Sequence, residues 1–178
     1  PAMEFQLLIT DYFIRISDEL DGVLDGLTIE DLNKHPAPGS NSIGWLAWHL
    51  TRSHDRNLSE LYGKRQLWIK DKWHREFGRA PDPSETGVSH SPEEMAAFES
   101  PDGKTILEYH HAVLERAKKY IENNLSEVEL KRRAKSPTLK NTRTVRGRLL
   151  GIVSEGFQHV GQAAYVRGSI KGQGWRGD

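Results

Sequence analysis

Glu155 and His159 stand four residues apart in the run Leu149–Val166, where Glu155 is the only charged side chain. On a helix, an i, i+4 pair leaves the same face one turn apart, and Gln162 continues that face. A carboxylate in the middle of a core-facing helix costs several kcal/mol unless it is paired or bound to a metal. The pair offers two ligands, and a facing helix must supply a third. His49, within Trp45-Leu46-Ala47-Trp48-His49-Leu50, is the best candidate. Two imidazoles and one carboxylate with an open position suit a catalytic zinc, and nickel or iron fit the same set. Two plainer readings stand beside this one. Glu155 and His159 can form an intrahelical ion pair, worth about 0.5 kcal/mol if exposed, and His49 can be a hydrogen-bonded core histidine. Trp45 and Arg52 lie one turn either side of His49 and, with Gln162, are candidates to line a substrate pocket, although Trp45 also reads as packing. His54 and His110 are conceivable general bases but read more readily as structural.

Four long helices and one irregular crossover must position these groups. Helix one runs from about Glu4 to Leu27 on the stripe Phe5, Leu8, Tyr12, Ile16, Leu20, Val23 and Leu27. Thr28 and Asp31 form a capping box for a short helix that Pro36 and Pro38 end. Helix two follows Gly39, with Ser40 or Asn41 as N-cap, and reaches Tyr62–Gly63; polar residues fill the gap in its stripe around His54. Residues 64–101 form the crossover between helices two and three, with a helix start at Ser91-Pro92. Helix three begins after Pro101-Asp102-Gly103 and helix four near Thr144, ending at about Ile170. Gly151, Gly156 and Gly161 weaken helix four, so each should allow close approach of a neighbouring helix or leave room for a ligand. No glycine-rich phosphate loop and no repeating strand pattern is present. The reading is all-α: a four-helix bundle forming one domain over residues 1–178.

Composition narrows the function. The 178 residues carry 25 Lys and Arg against 25 Asp and Glu, a balance that argues against a nucleic-acid partner. No stretch approaches the roughly 20 apolar residues that span a bilayer, and the opening residues lack a signal-peptide pattern, so a cytoplasmic protein is expected. Cysteine is absent, which excludes disulfides, Cys–metal sites and a cysteine nucleophile; thiol chemistry would need a thiol from outside. Eight basic residues and no acid lie between Lys131 and Arg148, while helix one is acid-rich. A solvated face or internal charge matching accounts for this, and the functional version is a basic rim that attracts an anionic thiol or substrate.

The segments Trp48-His49-Leu50-Thr51-Arg52-Ser53-His54-Asp55 and Glu155-Gly156-Phe157-Gln158-His159-Val160-Gly161-Gln162, followed by Tyr165-Val166-Arg167-Gly168, resemble the DinB/YfiT-like superfamily. Its members are four-helix bundles that hold a divalent metal with three side chains. The usual helix-four motif is HxxxHxGQ; Glu155 replaces its first His, as in the branch that resembles mycothiol-dependent maleylpyruvate isomerase. The resemblance covers nearly the whole chain and is better to the smaller mycothiol-transferase-like branch, because the isomerase carries an additional C-terminal domain. Carried over residue by residue, it implies His49, Glu155 and His159 as ligands, a cytosolic homodimer, and a low-molecular-weight thiol as co-substrate. The implied activity is thiol S-transfer to a small electrophile. Two other classes remain open: a metal-dependent hydrolase, which would need no thiol, and a non-catalytic metal-binding stress-response module, whose metal would be closed off.

Overall fold

The computed structural model describes residues 3–172. Four long helices carry the core: α1 (Glu4–Leu24), α3 (Ile43–Tyr62), α7 (Gly103–Asn124) and α9 (Val145–Lys171). Between them lie the short helices α2 (Ile29–Asn33), α4 (Leu67–Lys70), α5 (Trp73–Glu76), α6 (Pro92–Ala96) and α8 (Glu127–Lys131). α3 packs against both α7 and α9, and α1 packs against the same two helices from the other side. The chain is thus mostly helical, as the periodicity predicts. No helix among the described residues is long and apolar enough to cross a membrane.

Helix starts follow the caps. Asp102 accepts from the Thr105 N–H at 2.7 Å and Thr144 from the Gly147 N–H at 3.1 Å, which satisfies amide groups that the first helical turn leaves without partners. The expected boxes at Thr28 and Ser91 form as well. α3 departs from expectation, because its cap is Ser42, whose Oγ accepts from the Trp45 N–H. α1 ends at Leu24 rather than Leu27; Gly26, at φ +68°, turns the chain into the left-handed region and stops it. The buried face of α1 keeps Ile16, Leu20 and Val23 of the expected stripe but departs from it in the first half of the helix. Phe13, Ile16, Leu20 and Val23 are buried, whereas Leu8 and Tyr12 face outward.

Residues 133–144 correct the all-α reading locally. They form an antiparallel hairpin of β1 (Arg133–Ser136) and β2 (Asn141–Thr144), with Arg133 opposite Thr144 and Ser136 opposite Asn141. Strands of four residues rich in Arg, Lys, Thr and Asn carry no apolar alternation to read. Tertiary hydrogen bonds hold the hairpin instead: Ser136 Oγ and Thr138 Oγ1 each donate to Glu60 of α3 at 2.6 Å.

The crossover is tied to α3 by a buried polar network. Both carboxylate oxygens of Asp55 are occupied: the Leu67 and Trp68 N–H groups donate to them at 3.0 and 2.8 Å, and the Tyr109 hydroxyl at 2.8 Å. Arg52 lies 3.7 Å from Asp55 and is likewise fully buried. It donates to the Glu85 carbonyl and the Gln66 side chain, while Trp68 stacks on its guanidinium. One turn of α3 therefore positions both ends of the 66–85 segment.

Candidate metal centre

α3 presents His49 and α9 presents Glu155 and His159 across the contact between the two helices. His49 Nε2 lies 2.8 Å from Glu155 Oε1, and His159 Nε2 lies 3.6 Å from the same oxygen. One ligand atom from each residue lies within 4.8 Å of the others. The two helices approach this closely because of Gly156. A Cβ there would meet Ile16 Cδ1 at 2.8 Å and His54 Nε2 at 2.9 Å.

Hydrogen bonds fix which atoms face the centre. The Thr86 carbonyl takes a very short hydrogen bond from His49 Nδ1. His159 Nδ1 lies 2.8 Å from Gln162 Oε1. Both partners are acceptors, so each Nδ1 carries a proton, and each Nε2 faces Glu155 Oε1, where a proton or a metal ion can sit between them. The Ser53 hydroxyl donates to Glu155 Oε2 at 3.0 Å, leaving Oε1 to the histidines. Trp45 stacks flat on His49, with planes 12° apart and centroids at 4.7 Å. Behind it, Gly87 adopts φ +89° and a Cβ there would lie 2.7 Å from Trp45 Cζ2. Only glycine lets this loop press Thr86 against the histidine.

This donor set fits a divalent cation. Three potential ligand atoms converge, and two of them, His49 Nε2 and Glu155 Oε1 at 2.8 Å, would repel unless a positive centre sat between them. A proton or a metal ion meets that need; two imidazoles, one carboxylate and their outer hydrogen bonds are the donor chemistry of a metal. Burial opposes ionisation of Glu155, yet the hydrogen bonds from His159, His49 and Ser53 outweigh it and hold its carboxyl well below the usual carboxylate range. Burial also disfavours the His159 cation, but Glu155 and Gln162 raise its pKa above the ordinary value. The bond from His49 makes Glu155 and His159 more than an intrahelical ion pair.

The remaining predicted residues fall in different places. Gln162 bonds His159 and Trp45 stacks on His49. Arg52, although one turn from His49, directs its guanidinium to Gln66 and the 82–85 loop rather than to the triad. His54 and His110 are buried, and burial lowers their pKa values to about 4 and about 3. His54 bonds the Ile152 carbonyl and His110 the Thr51 hydroxyl, which are structural roles. Within the basic stretch, Arg132 pairs with Glu129 and Arg148 with Glu60. Its charges are thus matched in part, and Asp21 of helix one bonds His111. Sequence reasoning missed Ser53 and Thr86. Ser53 had a readable signal, being four residues after His49 and so on its face; a backbone carbonyl such as that of Thr86 leaves none.

No curated protein matches the chain. A conserved protein from Enterococcus faecalis, known from its crystal structure, is 27% identical with a TM-score of 0.84, and the match covers 97% of this chain and 100% of that one. The profile described as DinB superfamily matches residues 12–163, a span that contains all three converging side chains. The chain is a member of the DinB superfamily.

Proposed function

We propose that the protein binds one divalent metal ion, zinc foremost, through His49 Nε2, Glu155 Oε1 and His159 Nε2, and catalyses thiol S-transfer to a small electrophile. The observation that carries the metal assignment is the tautomer control: each imidazole has its Nδ1 proton held by an oxygen, so each Nε2 is turned to Glu155 Oε1 and ligates when a metal takes the place of a proton between them. When bound, the metal supplies Lewis acidity that favours a thiolate over a thiol at neutral pH. The protein's residues do the rest. Ser53 fixes the carboxylate, Trp45 and Thr86 hold the His49 ring, and Gln162 aims His159. The thiolate of the co-substrate attacks the electrophilic carbon; an S–C bond forms, the leaving group departs with its electron pair, and the thiol proton passes to solvent.

The transferase reading rests on the family resemblance and on a chain without cysteine, which must borrow its nucleophile. Hydrolysis would call for a general base, and the two candidates, His54 and His110, are buried and engaged elsewhere. A purely structural site would be closed by four protein ligands. Among the described residues three converge, and the Glu155 side chain is 31% exposed. The frame we infer is a one-domain four-helix bundle that works as a cytoplasmic homodimer.

Metal analysis by mass spectrometry on untagged protein tests this reading, with wild type beside His49→Ala, Glu155→Ala and His159→Ala. About one metal ion per chain, lost in each variant, is the expected result. Folded wild type that holds no metal and gains none on soaking would sink the assignment. With metal established, loss of an electrophile such as 1-chloro-2,4-dinitrobenzene only when a small thiol is added supports transfer. Turnover of an ester without thiol, and none with the electrophile, overturns it in favour of hydrolysis.

A further inference from the structure

Beside the triad lies a cavity of about 260 Å³, walled by Arg56, Arg143 and Arg148 and reaching Glu155. We propose that this cavity binds a small molecule through an oxyanion group, a carboxylate or a phosphate, held by these guanidiniums next to the metal centre. The proposal rests on the function above for the role of the ligand as substrate, but the binding itself is independent of the metal.

The chemistry of the walls points to an anion. Among the described residues, the only carboxylate lining the cavity is Glu155, which the two histidines and Ser53 already engage. Arg148 is 4% exposed and reaches Glu60 with Nη1 at 2.9 Å, yet its Nε and Nη2 are buried with no hydrogen-bond partner among the described residues. Arg56 is 5% exposed, and its Nε is unpartnered in the same way. Buried charged donors without acceptors are costly and uncommon, and two such guanidiniums on one cavity are best explained by a missing acceptor. Burial lowers the Arg56 pKa, and Arg52 and Arg148 push in the same direction against Glu60 and Glu155. These cations are crowded, and an incoming anion relieves that crowding. The planar guanidinium fork matches carboxylate and phosphate oxygens in pairs.

Two further features narrow the ligand. Val88 and Leu139 also line the cavity and are 66% and 36% exposed, so an apolar body can rest there while the charged head points inward. The size of the space suits a small metabolite rather than a polymer. Arg56 also donates to Thr86 Oγ1 at 3.2 Å, and the carbonyl of the same Thr86 holds His49. An anion at Arg56 is thereby one residue removed from a metal ligand, which is where the electrophilic partner of a metal-activated thiol should be placed.

Titration calorimetry at constant ionic strength tests the proposal on zinc-loaded and on chelator-treated protein. The probes are succinate and its neutral diamide, with inorganic phosphate added for the chelator-treated form. Binding of succinate or phosphate at one site per chain is expected, with no binding of the diamide. Arg143→Gln and Arg56→Gln should each weaken it about tenfold or more, while Lys135→Gln, off the cavity, leaves it unchanged. Arg143 is exposed, so that variant folds even if Arg56→Gln does not. Preference for succinate assigns a carboxylate ligand, and preference for phosphate assigns a phosphorylated one. Absence of binding by both anions, equal binding of the diamide, or affinity unaltered in Arg143→Gln and in folded Arg56→Gln overturns the proposal. Anion binding without any metal uptake would leave this site standing and remove the metal function alone.

Discussion

Gly156→Ala should loosen the metal centre without touching a ligand. The new Cβ would sit 2.8 Å from Ile16 Cδ1 and 2.9 Å from His54 Nε2, where ordinary contact begins at 3.4 Å. Ile16 is fully buried, and the His54 ring cannot swing aside without stretching its 3.0 Å bond to the Ile152 carbonyl. Overpacking of this kind costs about 1–3 kcal/mol, and the better helix preference of alanine returns about 1 kcal/mol. Gly161→Ala is the internal control. It lies on the same helix with nothing within 4 Å of its Cβ, so it should stabilise by about 0.5–1 kcal/mol. The two variants should thus differ by about 2 kcal/mol, or about 4–8 °C in Tm for a chain of this length. Relief of the clash moves α9 away from α3 and carries Glu155, the preceding residue, away from His49. Zinc affinity, measured by competition with a chelator, should fall about tenfold in Gly156→Ala and hold in Gly161→Ala. Equal melting temperatures and wild-type affinity in both variants would refute the claim that Gly156 sets the spacing of the ligand-bearing helices.

Two other perturbations address the frame. The His110 pKa, pushed by burial to about 3 from an ordinary 6.5, makes the unfolded chain take up the proton first. Stability from this group is therefore intact above pH 6.5 and is lost as pH falls toward 3. Between pH 7.5 and 5 the wild type should lose about 2 kcal/mol more than His110→Asn in urea titrations of chelator-treated protein, and parallel pH profiles would contradict the assignment. Asp55→Ala leaves Arg52 buried without its carboxylate and frees the Leu67 and Trp68 amides, so it should cost about 3–5 kcal/mol; a loss below about 1 kcal/mol in the same titration would show that the crossover is held by other contacts.

Much of this was legible because the relevant signals are local. Cap residues sit at fixed offsets, which placed α7 and α9 at Asp102 and Thr144. The i, i+4 spacing put Glu155 and His159 on one face, and the lone carboxylate in an apolar run marked that face as unusual. The failures have a shared cause in tertiary pairing. β1 and β2 are held by Glu60 from a distant helix, so two four-residue strands whose only apolar residue is Ala134 gave nothing to detect. The expected α1 stripe holds at Ile16, Leu20 and Val23 and fails at Leu8 and Tyr12, which are apolar but outward-facing, and periodicity alone cannot tell a core face from an exposed apolar one. Arg56 and Arg148 escaped notice as a pair because no spacing rule connects positions on different helices.

The polar stretch of α3 explains how the fold and the centre depend on each other. Read as a stripe, Thr51 to Asn57 is a gap among apolar residues; in the structure every residue of it is buried. Its side chains bond one another, α7, α9 and the crossover, with the Nε of Arg56 left over among the described residues. Asp55 holds the Leu67 and Trp68 amides, Arg52 the Glu85 carbonyl, and Arg56 the Thr86 hydroxyl. These bonds place Thr86, whose carbonyl holds the Nδ1 proton of His49, and Ser53 in the same stretch holds the carboxylate of Glu155. A hydrophobic α3 of equal volume could pack the four helices as firmly, but it would leave the 82–87 loop unplaced and the His49 ring free to rotate. Packing energy therefore does not account for these residues; fixing the loop that fixes the ligand does.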